Sequence, residues 1–394
     1  MRKIYSLLCM LMLGIGMYAQ KGNLILSTPE LNVEYQVVSI SPNGKWACGN
    51  IYEGSYRGFL WNLTSGEVTE LSVAGSTSLA MCINDAGTIA GIFTSTDNTP
   101  NNTPIEVPGY YQNGKWHVLS METEEGYAVK DALVQAVSND GTTFGGIGSI
   151  NGRYLPLVWI DGKVRIVDDN VGSIFTVSSD GKIVAGWTNH PEKKNRTACI
   201  WKTKDQLYDE KILVDESLIG PFNYVRKISP NGKYAIAFNC RYNIEDNTSV
   251  VYEELFDALN FSLNDVDNEG CVYGSLDNAD GHATIKYDAD GNKVNLRDYL
   301  LSKGLKLGKY PTFYDAYCAS ADGKTIGLLA MDAKDIPRSL VFRLDVDTMK
   351  MAPVALKSQL LDGVNTARLT WKAPLANVKA VKGYNIYRNG TKIN

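Results

Sequence analysis

Short apolar runs separated by polar turns fill most of this chain, and one arrangement of them recurs seven times. Each copy starts with a small or apolar residue, continues through polar or small residues and ends in Gly, and a second apolar run follows. The seven copies are Ile40–Gly44, Ile83–Gly87, Val137–Gly141, Val177–Gly181, Ile228–Gly232, Val266–Gly270 and Ala319–Gly323. Asn or Asp shortly before Gly favours a tight turn between strands, because Gly adopts positive φ without steric cost. The pattern therefore predicts seven β-hairpins.

The distance from one closing Gly to the next predicts a unit of four strands. It ranges from 38 to 54 residues, which suits a propeller blade. We expect a third strand to end on a bulky ring, at Trp61, Tyr111, Trp159, Trp201, Tyr252, Tyr287 and Phe342. A fourth strand follows a second polar turn, at Asn113–Gly114, Asp161–Gly162 and Asp290–Gly291. Four antiparallel strands repeated seven times are typical of an all-β, seven-bladed β-propeller.

A ring of blades must close, because an open blade exposes an unpaired sheet edge. Asn23–Leu26 precedes the first copy and is predicted to pair into the seventh blade as its fourth strand. The alternative gives that place to Thr348–Met351.

Several segments resemble the bacterial extracellular repeats of the HAF family. They are Ile83–Gly91, Gly58–Trp61, and Leu296–Leu300 followed by Ser320–Gly327. The resemblance implies an exported propeller and brings no catalytic residues with it. Blade five departs most, because Ala235–Phe238 lacks the Gly that ends the second strand elsewhere.

The pattern changes after the propeller. Thr366–Pro374 and Val381–Gly390 alternate apolar and polar residues without a blade turn, and they resemble the opening strands of a fibronectin type III domain, with Trp371 and Tyr387 as its inward rings. A sandwich of that class needs about 100 residues. We therefore predict a seven-bladed propeller over 22–351 and an incomplete fibronectin type III-like domain over 352–394.

The first residues predict export. Arg2 and Lys3 precede an apolar stretch, Leu7–Met17, and the small residue Ala19 follows it within Tyr18–Gln20. Together these features are typical of a secretory signal over residues 1–19. The predicted location is extracellular, at the cell surface or in the periplasm. No later apolar run approaches the roughly 20 residues that span a bilayer. The net charge of −4 is too small to indicate nucleic acid as a partner.

Six cysteines follow Cys9, and an exported protein often pairs such residues. Their scattered positions favour free, buried thiols over a disulfide framework. Cys48 and Cys82, in adjacent repeats, are the pair most worth checking.

Long, irregular connections are expected on one face of the propeller, where binding residues usually lie. They are Asn50–Arg57, Thr94–Pro108, Asn189–Arg196, Asn239–Asn247 and Asp332–Pro337 within blades, and Ser120–Asp131 and Arg297–Asp315 between blades. Candidate ligand-binding residues there are Tyr52, Tyr56, Trp187, His190, Arg196, Arg241 and Tyr242, a set suited to stacking on sugars or gripping a peptide. Trp187 is the strongest, since it follows the strand-ending Gly186. The alternative is that these residues only pack the loops together.

No catalytic, metal or cofactor site is predicted. His117, His190 and His282 fall in different blades, and neither a His-Glu-x-x-His nor a Gly-x-Ser-x-Gly motif occurs. Asp265–Gly270 resembles the start of a calcium loop, but its register favours a blade turn. The innermost strands carry charges at Arg226, Lys227 and Asp265, which are expected either to line the channel or to pair with one another.

The sequence therefore favours a secreted, non-enzymatic module that binds a glycan or an envelope protein through its long-loop face. One alternative is a carbohydrate-active enzyme that uses acids such as Glu106, Asp131 or Asp335. Another is a structural part of a larger surface protein.

Overall fold

Seven four-stranded antiparallel sheets form a β-propeller in the computed structural model, which confirms the predicted all-β, seven-bladed fold. The structure describes residues 21–28, 34–71, 77–96, 104–193, 195–203, 207–214, 223–279 and 281–347, and four short strands within 354–392. The predicted signal over residues 1–19 lies outside these ranges. In the part of the chain that the structure describes, no helix is long and apolar enough to cross a membrane.

The strands of blades one to four follow chain order from the innermost strand outward. Blade one contains β2 (Glu34–Ile40), β3 (Trp46–Tyr52), β4 (Tyr56–Asn62) and β5 (Val68–Glu70). Blade two contains β6 (Ser78–Ile83), β7 (Ile89–Ser95), β8 (Ile105–Gln112) and β9 (Lys115–Val118). Blade three contains β10 (Lys130–Val137), β11 (Thr143–Ile150), β12 (Arg153–Ile160) and β13 (Lys163–Ile166). Blade four contains β14 (Gly172–Val177), β15 (Ile183–Asn189), β16 (Arg196–Lys202) and β17 (Glu210–Leu213).

Blades five and six repeat this order, and the two short helices of the described residues follow their outermost strands. Blade five contains β18 (Val225–Ile228), β19 (Tyr234–Ala237), β20 (Cys240–Asn243) and β21 (Thr248–Val251), before a 3₁₀ turn, Glu253–Leu255. Blade six contains β22 (Asn260–Val266), β23 (Val272–Asn278), β24 (Gly281–Tyr287) and β25 (Lys293–Asn295), before helix α1 (Leu296–Ser302). The side chain of Asn295 caps α1 by accepting hydrogen bonds from the amides of Arg297 and Asp298.

Blade seven takes its outermost strand from the N-terminal end of the propeller. It contains β26 (Thr312–Ala319), β27 (Thr325–Met331) and β28 (Pro337–Asp347), and β1 (Lys21–Ser27) pairs antiparallel with β28. The predicted closure by Asn23–Leu26 is therefore confirmed. The alternative segment, Thr348–Met351, lies outside the described residues.

Every innermost strand, including β10 and β26 with a second register shift nearer their start, carries a β-bulge at one shared position. The extra residues are Val38, Met81, Gln135, Phe175, Arg226, Asn264 and Tyr317, which we call the bulge ring. Opposite the bulge, the second strand of five blades has Gly, and in blade three a Cβ built on Gly146 would meet the carbonyl oxygen of Leu133 at 2.0 Å. The repeated Gly therefore serves the close approach of two backbones.

The recurring turn is held by its own side chains. In blade seven the buried Ser320 hydroxyl donates to the Asp322 carboxylate at 2.7 Å and accepts from the amide of Thr325 at 2.9 Å. The same pair of bonds occurs from Ser41, Ser138, Ser178 and Ser229. Neighbouring turns are also joined to each other by hydrogen bonds at all seven junctions. A closed circle of turns thus surrounds one end of the channel.

Large rings on the third strand fill the spaces between blades, as predicted, except in blade five. Trp61, Trp159, Trp201, Tyr287 and Phe342 are fully buried on their third strands. Tyr252, however, follows the fourth strand of blade five, so its predicted placement is wrong. The ring position of that blade is taken by Tyr242, which pairs with Ala235 as Trp61 pairs with Ala47.

All six cysteines in the described residues are free. Cys48, Cys199, Cys240, Cys271 and Cys318 are buried and Cys82 is partly exposed. The predicted free thiols are therefore confirmed, and Cys48 and Cys82 are not bonded to each other.

Beyond the propeller the structure describes two short strand pairs. β29 (Val354–Leu360) pairs with β30 (Ala367–Lys372), and β31 (Tyr387–Arg388) pairs with β32 (Thr391–Lys392). Two separate hairpins do not establish a sandwich, so the fibronectin type III-like domain stays a prediction.

Candidate functional site

The two ends of the channel differ. At one end lie the seven hydrogen-bonded turns that start at Ser41, Asn84, Ser138, Ser178, Ser229, Asp267 and Ser320, which we call the short-turn face. At the other end lie the connections between second and third strands and between blades, which we call the long-loop face. The innermost strand of each blade has no neighbouring strand on its inner edge, which faces the channel. Partly exposed side chains on these strands therefore border the channel.

The first part of the channel wall is mostly apolar. Leu79 on β6 and Leu133 on β10 are partly exposed, as are the bulge-ring residues Met81 and Phe175. Tyr224, directly before β18, extends this surface. These five apolar or aromatic side chains lie on blades two to five, with the bulge-ring Gln135 among them, whose amide donates to the Ser173 hydroxyl. Together they offer a mostly apolar surface for aliphatic or aromatic groups of a ligand.

The wall opposite is polar. Arg226 of the bulge ring is exposed, although it lies on an innermost strand. The Asp315 carboxylate on β26 accepts hydrogen bonds from the Ser262 hydroxyl and the Asn264 amide, each at 2.9 Å. Burial raises the pKa of Asp315, and these hydrogen bonds and the charge of Arg226 oppose that rise only in part. Tyr317 of the bulge ring completes this side. We call the two walls together the channel mouth.

Lys227 and Asp265 lie deeper, next to the short-turn face. Asp265 is buried, and its carboxylate accepts from the amides of Val266 and Ala319, both at 2.9 Å. Burial by itself would lower the pKa of Lys227, but the carboxylate of Asp265 raises it above the ordinary value. Of the predicted inner-strand charges, Lys227 and Asp265 interact electrostatically with each other, while Arg226 remains exposed to the channel.

Trp187 and Arg196, both predicted as site residues, are brought together at the long-loop end of blade four. They lie on the same face of adjacent strands, and the Arg196 guanidinium carbon is 4.4 Å from the centre of the Trp187 ring. The guanidinium is also 4.9 Å from the Tyr224 ring and 6.0 Å from the Phe175 ring. All four side chains are partly exposed. We call these four residues the arginine cage.

The other predicted loop residues do not join this cage. Tyr52 and Tyr56 end a tight hairpin in blade one, where they are exposed and their rings lie 5.2 Å apart. His190 folds back on its own loop, because its Nδ1 accepts from the amides of Glu192 and Lys193, both at 3.2 Å.

Arg241 and Tyr242 lie on a strand, so their predicted position on a loop is wrong. They lie on β20, because blade five joins its second and third strands by a two-residue turn in which Phe238 has positive φ. The Arg241 guanidinium donates to the carbonyls of Gly270 and Ala289 at 2.7 and 2.8 Å. Asn50–Arg57 is likewise a short hairpin rather than a long loop, since β3 ends at Tyr52 and β4 begins at Tyr56.

The histidines do not form a catalytic group with a serine or cysteine in the described residues. His117 stacks on Tyr110, and His282 contacts Asp277 and the carbonyl of Tyr314. The Asp265–Gly270 segment forms a blade turn, in which the Asp267 carboxylate accepts from the amides of Glu269 and Cys271. No group of three metal-ligating side chains occurs in the described ranges.

Sequence reasoning missed Phe175 and Tyr224 of the cage and the apolar wall of the channel. A signal for the bulge ring was present, since each of its members stands two residues before the first residue of a repeat copy. Aligning that position across the seven copies would have shown Phe175 and Met81 beside Arg226, one residue per blade.

No protein-family model and no curated protein matches this chain. Among solved structures, a prolyl endopeptidase superposes with a TM-score of 0.52 at 10% identity, over 93% of this chain and 55% of that one. A puromycin-hydrolyzing peptidase from Mycobacterium tuberculosis gives 0.49 at 14% identity, over 86% of this chain and 57% of that one. The β-propeller domain of the Trilobed protease from Pyrococcus furiosus gives 0.48 at 10% identity, over 80% of this chain and 98% of that one.

This chain thus spans little more than half the length of the two whole peptidases, and identities this low show the shared propeller fold alone. The prediction of a non-enzymatic adhesion module is nevertheless wrong. The solved structure with which this propeller superposes at a TM-score of 0.52 is that of a prolyl endopeptidase. In addition, the long loops on which that prediction rested are tight turns in blades one and five.

Proposed function

We propose that the propeller receives an extended polypeptide at its channel mouth, as the polypeptide-binding unit of a peptidase system. The observation that carries this proposal is the division of the channel wall into an apolar side, with Leu79, Leu133 and Phe175, and a polar side, with Arg226 and Asp315. An extended polypeptide presents side chains and amide groups in alternation, so it needs both kinds of surface. The prolyl endopeptidase that shares this fold acts on peptides by its name.

Access is from the long-loop face in this proposal. The hydrogen-bonded circle of turns forms a fixed rim around the other end of the channel, and near that rim the Lys227 and Asp265 side chains interact with each other. Arg226 and the arginine cage lie toward the long-loop end, where a ligand reaches them. Export through the N-terminal segment, the HAF-type repeat and the fibronectin type III-like module are further parts of this proposal. No catalytic step is assigned to the described residues.

Binding of an unfolded polypeptide tests the proposal. Fluorescently labelled casein would be titrated with the purified chain and followed by fluorescence anisotropy. We expect saturable binding that weakens at least about tenfold in a Leu79→Gln, Leu133→Gln double variant, because two apolar contacts are worth more than about 1.4 kcal/mol together. Lys182→Gln, on the exposed short-turn face, is the matched control and should bind as the parent does.

Absence of saturable casein binding would contradict the proposal. Equal binding by the parent and the double variant would also contradict it, because the polypeptide would then lie elsewhere. A labelled folded protein of similar size serves as the control ligand, and it should not bind.

A further inference from the structure

The guanidinium of Arg196 has an unusual environment. The three rings of the arginine cage surround it at 4.4 to 6.0 Å, yet within the described ranges no carboxylate pairs with it. Its Nε is buried and has no hydrogen-bond partner among the described residues. Burial lowers the pKa of this group, and among the described residues only Tyr224 opposes that effect.

Such a cation is costly unless something compensates for the water that it has lost. The rings compensate in part, because a guanidinium over an aromatic face is attracted by the ring quadrupole. Ring faces, however, do not accept the five N–H groups, which lie in the plane of the guanidinium. The in-plane edge of Arg196 therefore retains donors that an oxygen acceptor would satisfy.

A carboxylate is the acceptor that fits this edge best. Its two oxygens match the fork of a guanidinium and accept two parallel charge-assisted hydrogen bonds. The rings also fix the orientation of the guanidinium, so little side-chain entropy is lost on binding. Arg196 lies between blades four and five next to Phe175, which belongs to the channel wall.

We propose that the arginine cage is a carboxylate-binding site, in which Arg196 receives a carboxylate of the polypeptide at the channel mouth. This inference rests on the proposed function as far as the polypeptide is concerned. The carboxylate has two possible sources, the C-terminus of the polypeptide and an acidic side chain within it. Both present the same planar pair of oxygens.

Acetate is the first probe, since its binding does not depend on any polypeptide. The chain has seven tryptophans, and ¹⁵N labelling of their indoles reports each one, with Trp187→Phe assigning the signal of Trp187. At constant ionic strength, sodium acetate should shift that signal saturably, whereas sodium chloride should not. Arg196→Gln should abolish the shift, and Arg196→Lys should weaken it because the two-pronged contact is lost. The other indole signals show whether each variant is folded.

Three versions of one unstructured peptide distinguish the sources. The first has a free C-terminus, the second is amidated, and the third is amidated but contains one internal Glu. We expect Arg196→Gln to weaken binding of a carboxylate-bearing version at least about tenfold and to leave the second version unchanged. Loss on amidation assigns the site to the C-terminus, and recovery with the internal Glu assigns it to acidic side chains.

An unmoved Trp187 signal in acetate would overturn the proposal. Failure of the proposed function is distinguishable: acetate would still bind at Arg196 while casein would not bind. Conversely, Arg196→Gln could leave casein binding intact while acetate gives no response. That result would refute the carboxylate site and leave the proposed polypeptide binding standing.

Discussion

The backbone amide of Ala321 donates a 2.9 Å hydrogen bond to the carbonyl oxygen of Pro42, and this bond joins the turn of blade seven to the turn of blade one. The same junction is closed at the outer rim by the pairing of β1 with β28. The ring of blades is therefore closed twice, once beside the channel and once at its outer rim. A ring closed in this way fixes the circumference of the channel, and with it the spacing of the residues that line the channel mouth.

The close backbone approach at the bulge ring predicts that Ala cannot replace the opposing Gly146 without a large loss of stability. A Cβ at Gly146 would lie 2.0 Å from the carbonyl oxygen of Leu133, and neither backbone can move away without breaking the ladder. Gly146→Ala should therefore lower the free energy of unfolding by at least about 3 kcal/mol, more than ordinary overpacking costs. Urea unfolding followed by tryptophan fluorescence measures the change.

Gly308→Ala is the control for this substitution. No heavy atom lies within 4 Å of a Cβ built there, so the change should stay within about 1 kcal/mol. Equal stability of the two variants would mean that the bulge does not need Gly.

Loss of the Ser320 hydroxyl in the blade turn should lower the stability less than Gly146→Ala does. Ser320 is fully buried, and its removal leaves the amide of Thr325 without its acceptor. Ser320→Ala should cost about 1–3 kcal/mol of stability. Ser302→Ala, in which the lost hydroxyl is exposed on α1, should change the stability by less than about 0.5 kcal/mol. A melting curve for each variant decides the matter, and similar melting temperatures would refute the role assigned to the turn.

The repeated turns made the fold predictable from the sequence, because Gly at positive φ and the Ser-x-Asn or Ser-x-Asp pattern are local requirements that each blade states separately. The closing strand was predictable for a similar reason, since an unpaired edge needs a partner. Arg241 and Tyr242 were mistaken for loop residues because loop length depends on where a strand ends. In blade five the positive φ of Phe238 ends it earlier than the sequence pattern indicates.

The candidate site was predictable only in part. Trp187 and Arg196 carry a local signal, a ring after a strand-ending Gly and a cation in the same hairpin. Phe175 and Tyr224 reach the same place from a neighbouring strand and a neighbouring blade. Such contacts depend on how blades pack, and no single repeat encodes that packing.

Tyr242 tests the distinction between packing and binding. Because the ring of Tyr242 takes the ring position of blade five, its removal should lower the stability of the folded protein. Tyr242→Ala should lose about 3–5 kcal/mol, and Tyr242→Phe about 1 kcal/mol for the hydrogen bond to Asn247. Neither change should alter the affinity for casein at a temperature where both variants are folded. Weaker casein binding by Tyr242→Phe without loss of stability would restore Tyr242 as a ligand-binding residue.

The environment of Asp168 predicts that the folded protein loses stability at acid pH. Its carboxylate accepts hydrogen bonds from Lys211, Thr188 and Trp201. Burial alone would raise its pKa, but hydrogen bonds from Lys211 and Asn170 outweigh burial and hold the pKa below its ordinary value of 3.8. The ionised carboxylate therefore stabilises the folded state above that value, and this stabilisation is lost as the pH falls through the lower pKa of the folded protein.

The comparison with Asp168→Asn measures this contribution. The difference in unfolding free energy between the parent and the variant should be constant from about pH 7 to pH 5 and should shrink below about pH 4. A difference that stays constant to about pH 2 would show that the folded and unfolded pKa values do not differ.

Entry of a polypeptide into the channel from the long-loop face is the central proposal for this propeller. Hydrogen exchange of the backbone amides, with and without casein, tests this most directly, because the innermost strands turn an unpaired edge toward the channel. We predict slower exchange in β6, β10, β14 and β18 when casein is present, and unchanged exchange in the seven turns of the short-turn face. Protection confined to that face, or no protection of the innermost strands, would contradict binding of the polypeptide in the channel.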